Sequence, residues 1–413
     1  MTDSTDLDEQ VLGWLSPGDR DPASVSQHDA QQLAWCTVPQ KGIAPNGVLT
    51  EVAAACARLL EASGRHRGAT ALREHTPGVL AGWARSPLAG IAAYRRAMRI
   101  TGVQPPDTPT LTWASIMGRD EAAVLDAAER MLESALDVGA FTPARQGWRA
   151  AQRDLVDTWL RTPSARFAGR TPVDVVHAER VVHWADAGTT ARSAILRVVL
   201  PRLTTLTDEA RDPLDPLRFL LEAISEGFNL TATGQLPPAL VRDAAARFGW
   251  GLPAFTIRRE TDVVELVEIR DLATRARLIA VRKRQLILTT AGRAALGEPA
   301  QLWNAAAAGW FDHDDFAAHI AEIAAAILLD VSATAESLTS AAHEAVAASF
   351  RHPDDTHPDH LEARLAVWEW LRPGHALGWL TPLTNGEHQL TTPGRAAALD
   401  GLRHRACAAF NRP

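Results

Sequence analysis

The stretch RLIAVRKRQLILTTAGRAAL, residues 277–296, decides how this chain is expected to fold. A short apolar strand leads into a cluster of basic residues, a second strand follows, and the threonines open onto an alanine-rich helix. Nearly the same ending returns in HQLTTPGRAAALDGLR, which begins at residue 388. The sequence therefore predicts two copies of a strand–turn–strand–helix unit.

The pattern L-T-x-x-G occurs at Leu230–Gly234, Leu288–Gly292 and Leu390–Gly394. In each place we expect the leucine to end a strand and point into the core, and a threonine hydroxyl to cap the helix that follows. Pro393 suits the first turn of such a helix, where its missing N–H costs nothing. The glycine, which has no Cβ, lets the start of the helix lie close against the preceding strand.

A helix, a hairpin with a polar tip and a threonine-capped closing helix together make the second half of a winged helix-turn-helix unit. LIAVRKRQLILTTAGRAAL and LGWLTPLTNGEHQLTTPGRAAAL resemble the wing and last helix of bacterial winged-helix regulators. Together with VQPPDTPTLTWASIMG and LTATGQLPPALVRDAAARFGW, these segments are also similar to a class of actinobacterial proteins to which no established activity is attached. The second resemblance covers most of the chain and implies no catalytic residues.

The rest of the chain reads as helices separated by Pro- and Gly-rich connections. The expected fold class is mainly α, with an N-terminal helical domain and two winged-helix-like units that carry small β-hairpins. The predicted segments are an acidic, largely disordered arm (1–45), an all-α domain (46–228), a winged-helix-like unit (229–298), a helical connector (299–357) and a second winged-helix-like unit (358–413).

Composition excludes several classes of protein. The chain has 413 residues and a net charge of −7, and no apolar run reaches the roughly 18 residues that span a bilayer. The N-terminal sequence MTDSTDLDEQ is acidic where a signal peptide would be basic, so we expect a cytoplasmic protein without a membrane partner. Its cysteines, Cys36, Cys56 and Cys407, are scattered and predict neither disulfides nor a zinc site.

Basic residues concentrate around the first hairpin, although the chain as a whole is acidic. We expect the hairpin tip to carry three of them, with others just before the hairpin and on the closing helix. Guanidinium and ammonium groups in such a place suit the phosphates of duplex DNA. The predicted DNA-binding residues are Arg275, Arg277, Arg282, Lys283, Arg284 and Arg293.

The helix before that hairpin argues for a different partner. In a winged helix this element enters the major groove, but here residues 262–271 carry Asp262, Glu265, Glu268 and Asp271. The alternative is a scaffold whose winged-helix units dock partner proteins through acidic helices 262–271 and 361–371. A homodimer is compatible with both hypotheses.

Searching for catalytic and phosphate-binding motifs finds none. HPDDTHPDH, residues 352–360, combines histidines with aspartates, but its prolines favour a solvated linker over a metal site. We therefore predict a protein that is not an enzyme and has no cofactor, metal or catalytic residue.

Overall fold

The computed structural model describes residues 4–16, 21–41, 46–204, 214–250 and 256–409. Helix accounts for 68% of the structure and strand for 5%, so the prediction of a mainly α fold is confirmed. The chain divides into two compact units, the first formed by residues 1–176 with 409–413 and the second by residues 177–408. Within the described ranges, no helix combines the length and the apolar character needed to cross a membrane.

The first unit is helical. Its helices are α1 (Ser4–Leu15), α2 (Gln27–Gln32), α3 (Val38–Gln40), α4 (Asn46–Ala62), α5 (His66–Arg85), α6 (Pro87–Thr101), α7 (Arg119–Asp137), α8 (Trp148–Leu160) and α9 (Pro172–Asp186), which continues into the second unit. A π turn, Leu33–Thr37, joins α2 to α3, and short 3₁₀ turns lie at Pro22–Ser24 and Ala165–Phe167.

The N-terminal segment differs from the disordered arm expected over residues 1–45. Val11 and Trp35 are fully buried in the core of the first unit. The indole of Trp35 donates to Thr76 Oγ1 at 2.8 Å, and its carbonyl accepts from Trp83 Nε1 at 2.8 Å. The acidic composition suggested disorder, but a few large apolar side chains fix the described part of this segment to α5.

The second unit contains the remaining helices and all strands of the described residues. They are α10 (Thr190–Thr204), α11 (Asp215–Ala223), β1 (Phe228–Asn229), α12 (Pro238–Phe248), α13 (Val264–Arg275), β2 (Ile279–Arg282), β3 (Gln285–Leu288), α14 (Thr290–Gly297), α15 (Pro299–Trp310), α16 (Asp315–Leu328), β4 (Ala333–Thr334), α17 (Ala335–Val346), α18 (His360–Ala376), β5 (Leu380–Pro382), β6 (Glu387–Leu390) and α19 (Thr392–Cys407). Glu260–Asp262 and Ala347–Ser349 are 3₁₀ turns.

The same order of elements occurs twice. Elements α11 to α14 with β1 to β3, which we call the first module, follow the order helix, strand, helix, helix, strand, strand, helix. Elements α16 to α19 with β4 to β6, which we call the second module, follow the same order. Each module has a three-stranded antiparallel sheet, in the order β1-β3-β2 and β4-β6-β5. In register, Ile279 faces Leu288 in the first sheet and Leu380 faces Leu390 in the second.

These modules begin earlier in the chain than the sequence predicted. Helix α11 packs on α12, α13 and α14 and so belongs with the first module rather than with the helical domain expected to end at 228. Residues 299–357, expected to be a connector, supply α16, β4 and α17 of the second module. Strand β4 has two residues, too few to show the alternating pattern that identifies a strand.

Helix α15 packs on α13 and α14 of the first module, and a cluster of tryptophans joins it to the second module. The rings of Trp310 and Trp370 stack with their centroids 4.6 Å apart. The ring centroid of Trp379 lies 4.9 Å from that of Trp310 and 5.5 Å from that of Trp303. The indole of Trp310 also donates to the Trp370 carbonyl at 2.7 Å. Since both modules and α15 share one hydrophobic core, they form a single folding unit.

A buried ion triad fastens three helices of this unit. Glu322 on α16 and Arg192 on α10 are 1% and 2% exposed and lie 2.8 Å apart, and Arg405 Nε on α19 reaches Glu322 at 3.0 Å. Burial raises the pKa of Glu322, but the charges of His319, Arg405 and Arg192 outweigh it and hold that pKa below its ordinary value. The sequence signal for the triad is a lone carboxylate inside the apolar run IAEIAAAILL.

Candidate nucleic-acid interface

Two consecutive basic residues form the turn of the first module's hairpin. Arg282 on β2 pairs with Gln285 on β3, so Lys283 and Arg284 close the turn. Lys283 has a φ of 59°, in the left-handed region that residues with a Cβ rarely adopt. Arg282, Lys283 and Arg284 are all exposed, and none of them forms an ion pair with a carboxylate of the described chain. We call these three residues the basic tip.

The junction between β3 and α14 fixes the direction of this hairpin. Thr289 Oγ1 accepts from Gly292 N at 2.9 Å and donates to the Arg277 carbonyl at 2.6 Å. A Cβ on Gly292 would lie 2.0 Å from the carbonyl oxygen of Leu278, so only glycine fits. The predicted cap and the predicted close approach of glycine are both confirmed here.

The second module repeats this junction atom by atom. Thr391 Oγ1 accepts from Gly394 N at 3.1 Å and donates to the Gly378 carbonyl at 2.9 Å. A Cβ on Gly394 would lie 1.9 Å from the carbonyl oxygen of Trp379. Pro393 occupies the first turn of α19, as predicted. The shared sequence motif therefore corresponds to a shared structure.

The third L-T-x-x-G instance, at Leu230–Gly234, forms a turn and does not cap a helix. Thr231 Oγ1 accepts from Gln235 N at 3.0 Å, and the Gly234 N–H donates to the Thr231 carbonyl at 3.0 Å. Helix α12 begins only at Pro238, after a cap without a side-chain hydrogen bond. The prediction of a capped helix at this site was wrong, because a threonine hydroxyl serves a tight turn as readily as a helix start.

The six predicted DNA-binding residues separate into two groups. The basic tip lies at one end of the hairpin. Arg275, Arg277 and Arg293 lie at the other end, where α13 leads into β2 and β3 leads into α14. The length of β2 separates these ends by about 10 Å. One contiguous basic patch therefore does not form.

Arg275 is turned into the protein. Its Nε donates to the Gly309 carbonyl at 3.3 Å, and its buried Nη2 has no hydrogen-bond partner among the described residues. Burial lowers the pKa of Arg275, against the nearby carboxylates of Asp271, Glu268, Glu369 and Asp312. This guanidinium does not belong to the surface of the basic tip.

Arg277 and Arg293 are exposed beside that buried arginine. Arg277 has a φ of 55°, and its carbonyl accepts from Thr289. Arg293 Nη1 donates to the Leu288 carbonyl at 3.0 Å, which holds the side chain along the end of β3. Within the described chain neither forms an ion pair.

Helix α13, which precedes the basic hairpin, packs along α18, the matching helix of the second module. Arg372 Nη1 on α18 lies 3.9 Å from Glu268 Oε1 on α13, and burial raises the pKa of Glu268. Each helix therefore covers part of the other. This contact joins residues about 100 positions apart in the sequence, and no local pattern predicted it.

The carboxylates expected to repel DNA are partly engaged within the protein. Asp262 accepts from the backbone of Arg258 at 2.8 Å and of Arg259 at 3.0 Å. These hydrogen bonds lower the pKa of Asp262. Glu268 lies in the contact with α18, whereas Asp271 is exposed. Arg259 Nε lies 3.5 Å from Asp262 Oδ1, so Asp262 and Glu268 each have an arginine partner within the protein.

The hairpin of the second module has a different tip. Residues 383–386 connect β5 to β6, and Gly386 takes the positive φ, 80°. Glu387 is held by the Ser332 hydroxyl and by its own N–H bond to Asn385 Oδ1 at 3.1 Å. This tip has no arginine or lysine.

The outward face of α18 is apolar. Leu361, Leu365 and Trp368 follow one another at helical spacing and are 50%, 54% and 37% exposed. Trp368 also makes an edge contact with the His388 ring at 5.8 Å. In the described part of the chain, no group of three His, Cys, Asp or Glu side chains could hold a metal ion.

Comparisons with protein-family models, curated proteins and solved structures find no match for this chain.

Proposed function

We propose that both modules are winged helices and that the chain is a non-enzymatic, regulatory DNA-binding protein whose basic tip contacts the phosphates of duplex DNA. The order of elements supports the fold assignment, because each module places its third strand between the other two and has a hairpin after its third helix, as winged helices do. The basic tip carries the functional proposal. Three exposed cations lie on consecutive residues and have no carboxylate partner among the residues that the structure describes.

The backbone of the tip strengthens this argument. Lys283 holds a φ of 59°, a conformation that costs a residue with a side chain roughly 1 kcal/mol or more. Glycine would remove that cost, as Gly386 does in the other hairpin. A lysine retained there is best explained by its charge.

Contact with phosphates, rather than reading of bases, fits this geometry. Helix α13 is partly covered by α18 and still exposes Asp271, so it is poorly suited to the major groove. Phosphate contacts carry no sequence information but add affinity that depends on salt. The expected binding is weakly specific and strongly salt-dependent.

The test is a salt titration of affinity for random duplex DNA. Each phosphate contact adds about 0.9 to the slope of log K against log salt, so the tip should contribute about 2 to 3. Reversal of the tip (Arg282→Glu, Lys283→Glu, Arg284→Glu) should abolish retention of DNA at low salt. A matched reversal of Arg95, Arg96 and Arg99, exposed on α6 of the first unit, changes the net charge equally and should preserve binding.

Equal loss in both triple variants would contradict the proposal, because it would assign binding to net charge. Unchanged retention by the tip variant would contradict it as well.

The alternative function is a protein-interaction scaffold, and the apolar face of α18 favours it. Isolated exposed leucines are ordinary, but three large apolar side chains in line on one helix suit a partner protein. The scaffold hypothesis predicts no DNA retention at any salt concentration. The same titration therefore distinguishes the two functions.

A further inference from the structure

A pocket lies at the base of the first hairpin, away from the basic tip. The ends of α13, α15 and α19 surround it, and its volume is about 370 Å³. Such a volume is at the small end of the range for ligand sites, about 300 to 1,000 Å³. Arg275, Arg277 and Arg405 line it together with His404, and Asp312 is the acidic residue of the lining.

Two of the arginines, Arg275 and Arg277, have guanidinium nitrogens without a partner in the described chain. The Nη2 of Arg275 is buried without a hydrogen-bond acceptor in the described chain, a costly state for a charged group. Arg277 is exposed without an ion pair there. Arg405 differs, since its Nε is held by Glu322 at 3.0 Å. Arg275 and Arg277 are thus the cations available to a ligand.

The second module shows that this position does not require charge. Arg277 and Gly378 both close the preceding helix through the same hydrogen bond, N–H to the carbonyl three residues earlier, at 3.0 Å in each. Both have positive φ, 55° and 70°. Where the first module has Arg275 as the last residue of α13, α18 ends in Ala376. The helix ends in the same way with alanine and glycine as with two arginines.

The ordinary role of arginine at a helix C-terminus is to offset the partial negative charge of the last carbonyls, about half a charge per helix. That role explains Arg275 Nε, which donates to the Gly309 carbonyl. It does not explain the unpartnered Nη2 of Arg275 or the side chain of Arg277. The charge of Arg275 also acts on the neighbouring His313, because burial and this charge together lower the pKa of His313 to about 4.

We propose that this pocket binds a small phosphorylated molecule, whose phosphate is held by the guanidinium groups of Arg275 and Arg277. Guanidinium forks match phosphate oxygens in pairs and make charge-assisted hydrogen bonds. A small phosphate compound fits better than DNA, because Arg275 lies partly inside the protein in a concave pocket. The inference is independent of the proposed DNA contact at the tip.

The test is calorimetric titration of the full chain with inorganic pyrophosphate at constant ionic strength, without DNA. We expect saturable binding at one site with a Kd of about 1 mM or tighter. Arg277→Gly and Arg275→Ala install the residues that the second module has at these positions, so both variants should fold. Each should weaken pyrophosphate binding about tenfold or more.

The tip variant separates this proposal from the DNA proposal. Triple reversal of Arg282, Lys283 and Arg284 should leave pyrophosphate affinity unchanged, while Arg275→Ala should leave DNA affinity unchanged. No saturable binding by the wild-type chain would overturn the pocket. Unchanged affinity in Arg275→Ala and Arg277→Gly, or loss of affinity in the tip variant, would place the phosphate elsewhere and overturn it equally.

Discussion

The two modules of the second unit share a backbone plan and differ in chemistry. At the end of the third helix the first module has Arg277 where the second has Gly378, and in the hairpin turn the first uses Lys283 where the second uses Gly386 at positive φ. Glycine adopts this conformation freely, whereas a residue with a Cβ does not. The second module therefore adopts the same fold without these charges. We infer that their presence in the first module serves a function.

The second module has its own distinctive surface. Its α18 exposes Leu361, Leu365 and Trp368. When Arg277 is matched to Gly378, the same positions of the first module hold Glu260, which is buried, and two smaller apolar residues, Val264 and Val267. Repeating one fold has thus produced one charged hairpin and one apolar helix face. Function belongs to the sites placed on a fold, not to the fold itself.

The largest effect should come from the ion triad, which links α16 and α19 of the second module to α10. Helix α16 buries Glu322, whereas α11 of the first module buries apolar side chains alone. Glu322→Gln leaves Arg192 buried without its counter-charge and should cost about 3 to 5 kcal/mol in the free energy of unfolding. Chemical denaturation followed by tryptophan fluorescence measures this loss.

A double variant, Glu322→Leu with Arg192→Leu, serves as the control for the triad. It removes both buried charges and should recover part of the stability. If Glu322→Gln and the double variant were equally unstable, helix packing rather than charge would explain the loss.

The next largest effect tests whether the modules are equivalent at their shared junction. Gly292→Ala and Gly394→Ala each place a Cβ about 2 Å from a backbone carbonyl oxygen, which cannot move away without shifting a strand. Each should destabilise the unit by about 3 kcal/mol. Thermal unfolding of both variants provides the comparison.

Gly297→Ala is the control for these glycines, because nothing lies within 4 Å of its Cβ position. Its effect should be within about 0.5 kcal/mol of zero. If Gly292→Ala and Gly394→Ala lowered the free energy of unfolding by very different amounts, the two junctions would contribute unequally to stability despite their matching hydrogen bonds.

Lowering the pH should destabilise the second module more than the first, and this effect should be smaller than that of the glycine substitutions. His375 Nε2 lies 3.0 Å from His388 Nδ1 in the second module, and burial lowers the pKa of each. The first module, residues 215–297, contains no histidine. Because a lowered folded-state pKa keeps these rings neutral, stability should fall as the pH drops below about 6.5, where the unfolded chain takes up protons.

Hydrogen exchange of the hairpin amides, corrected for intrinsic rates, should show this as faster opening of β5 and β6 at pH 5 than at pH 7.5, with β2 and β3 unchanged. Equal loosening of both hairpins would remove the role assigned to the histidine pair.

The sequence predicted features that depend on neighbouring residues. Thr289 and Thr391 cap helices, and Gly292 and Gly394 lie against strands, because each forms its contact within about 15 residues along the chain. The exposed basic tip follows from the same local reasoning. Hydrophobic periodicity also located most helices of the second unit.

Long-range packing could not be predicted in the same way. Arg275 and Arg277 are two residues apart in an apparently uniform basic stretch, yet α15 buries one and leaves the other exposed. The contact of α13 with α18 likewise depends on tertiary structure. A charge pattern gives the sign of the net charge of a segment, whereas the burial of each side chain depends on elements far away in the sequence.

The smallest expected effect bears most directly on the comparison of the modules. Lys283→Gly removes both the charge and the cost of a positive φ, so it should raise the free energy of unfolding by about 0.5 kcal/mol and lower the salt slope of DNA binding by about 1. Lys283→Ala removes the charge alone and should weaken DNA binding equally without adding stability. Together the two variants separate strain from charge. If Lys283→Ala proved as stable as Lys283→Gly, the left-handed turn would carry no strain, and lysine at this position would be no argument for function.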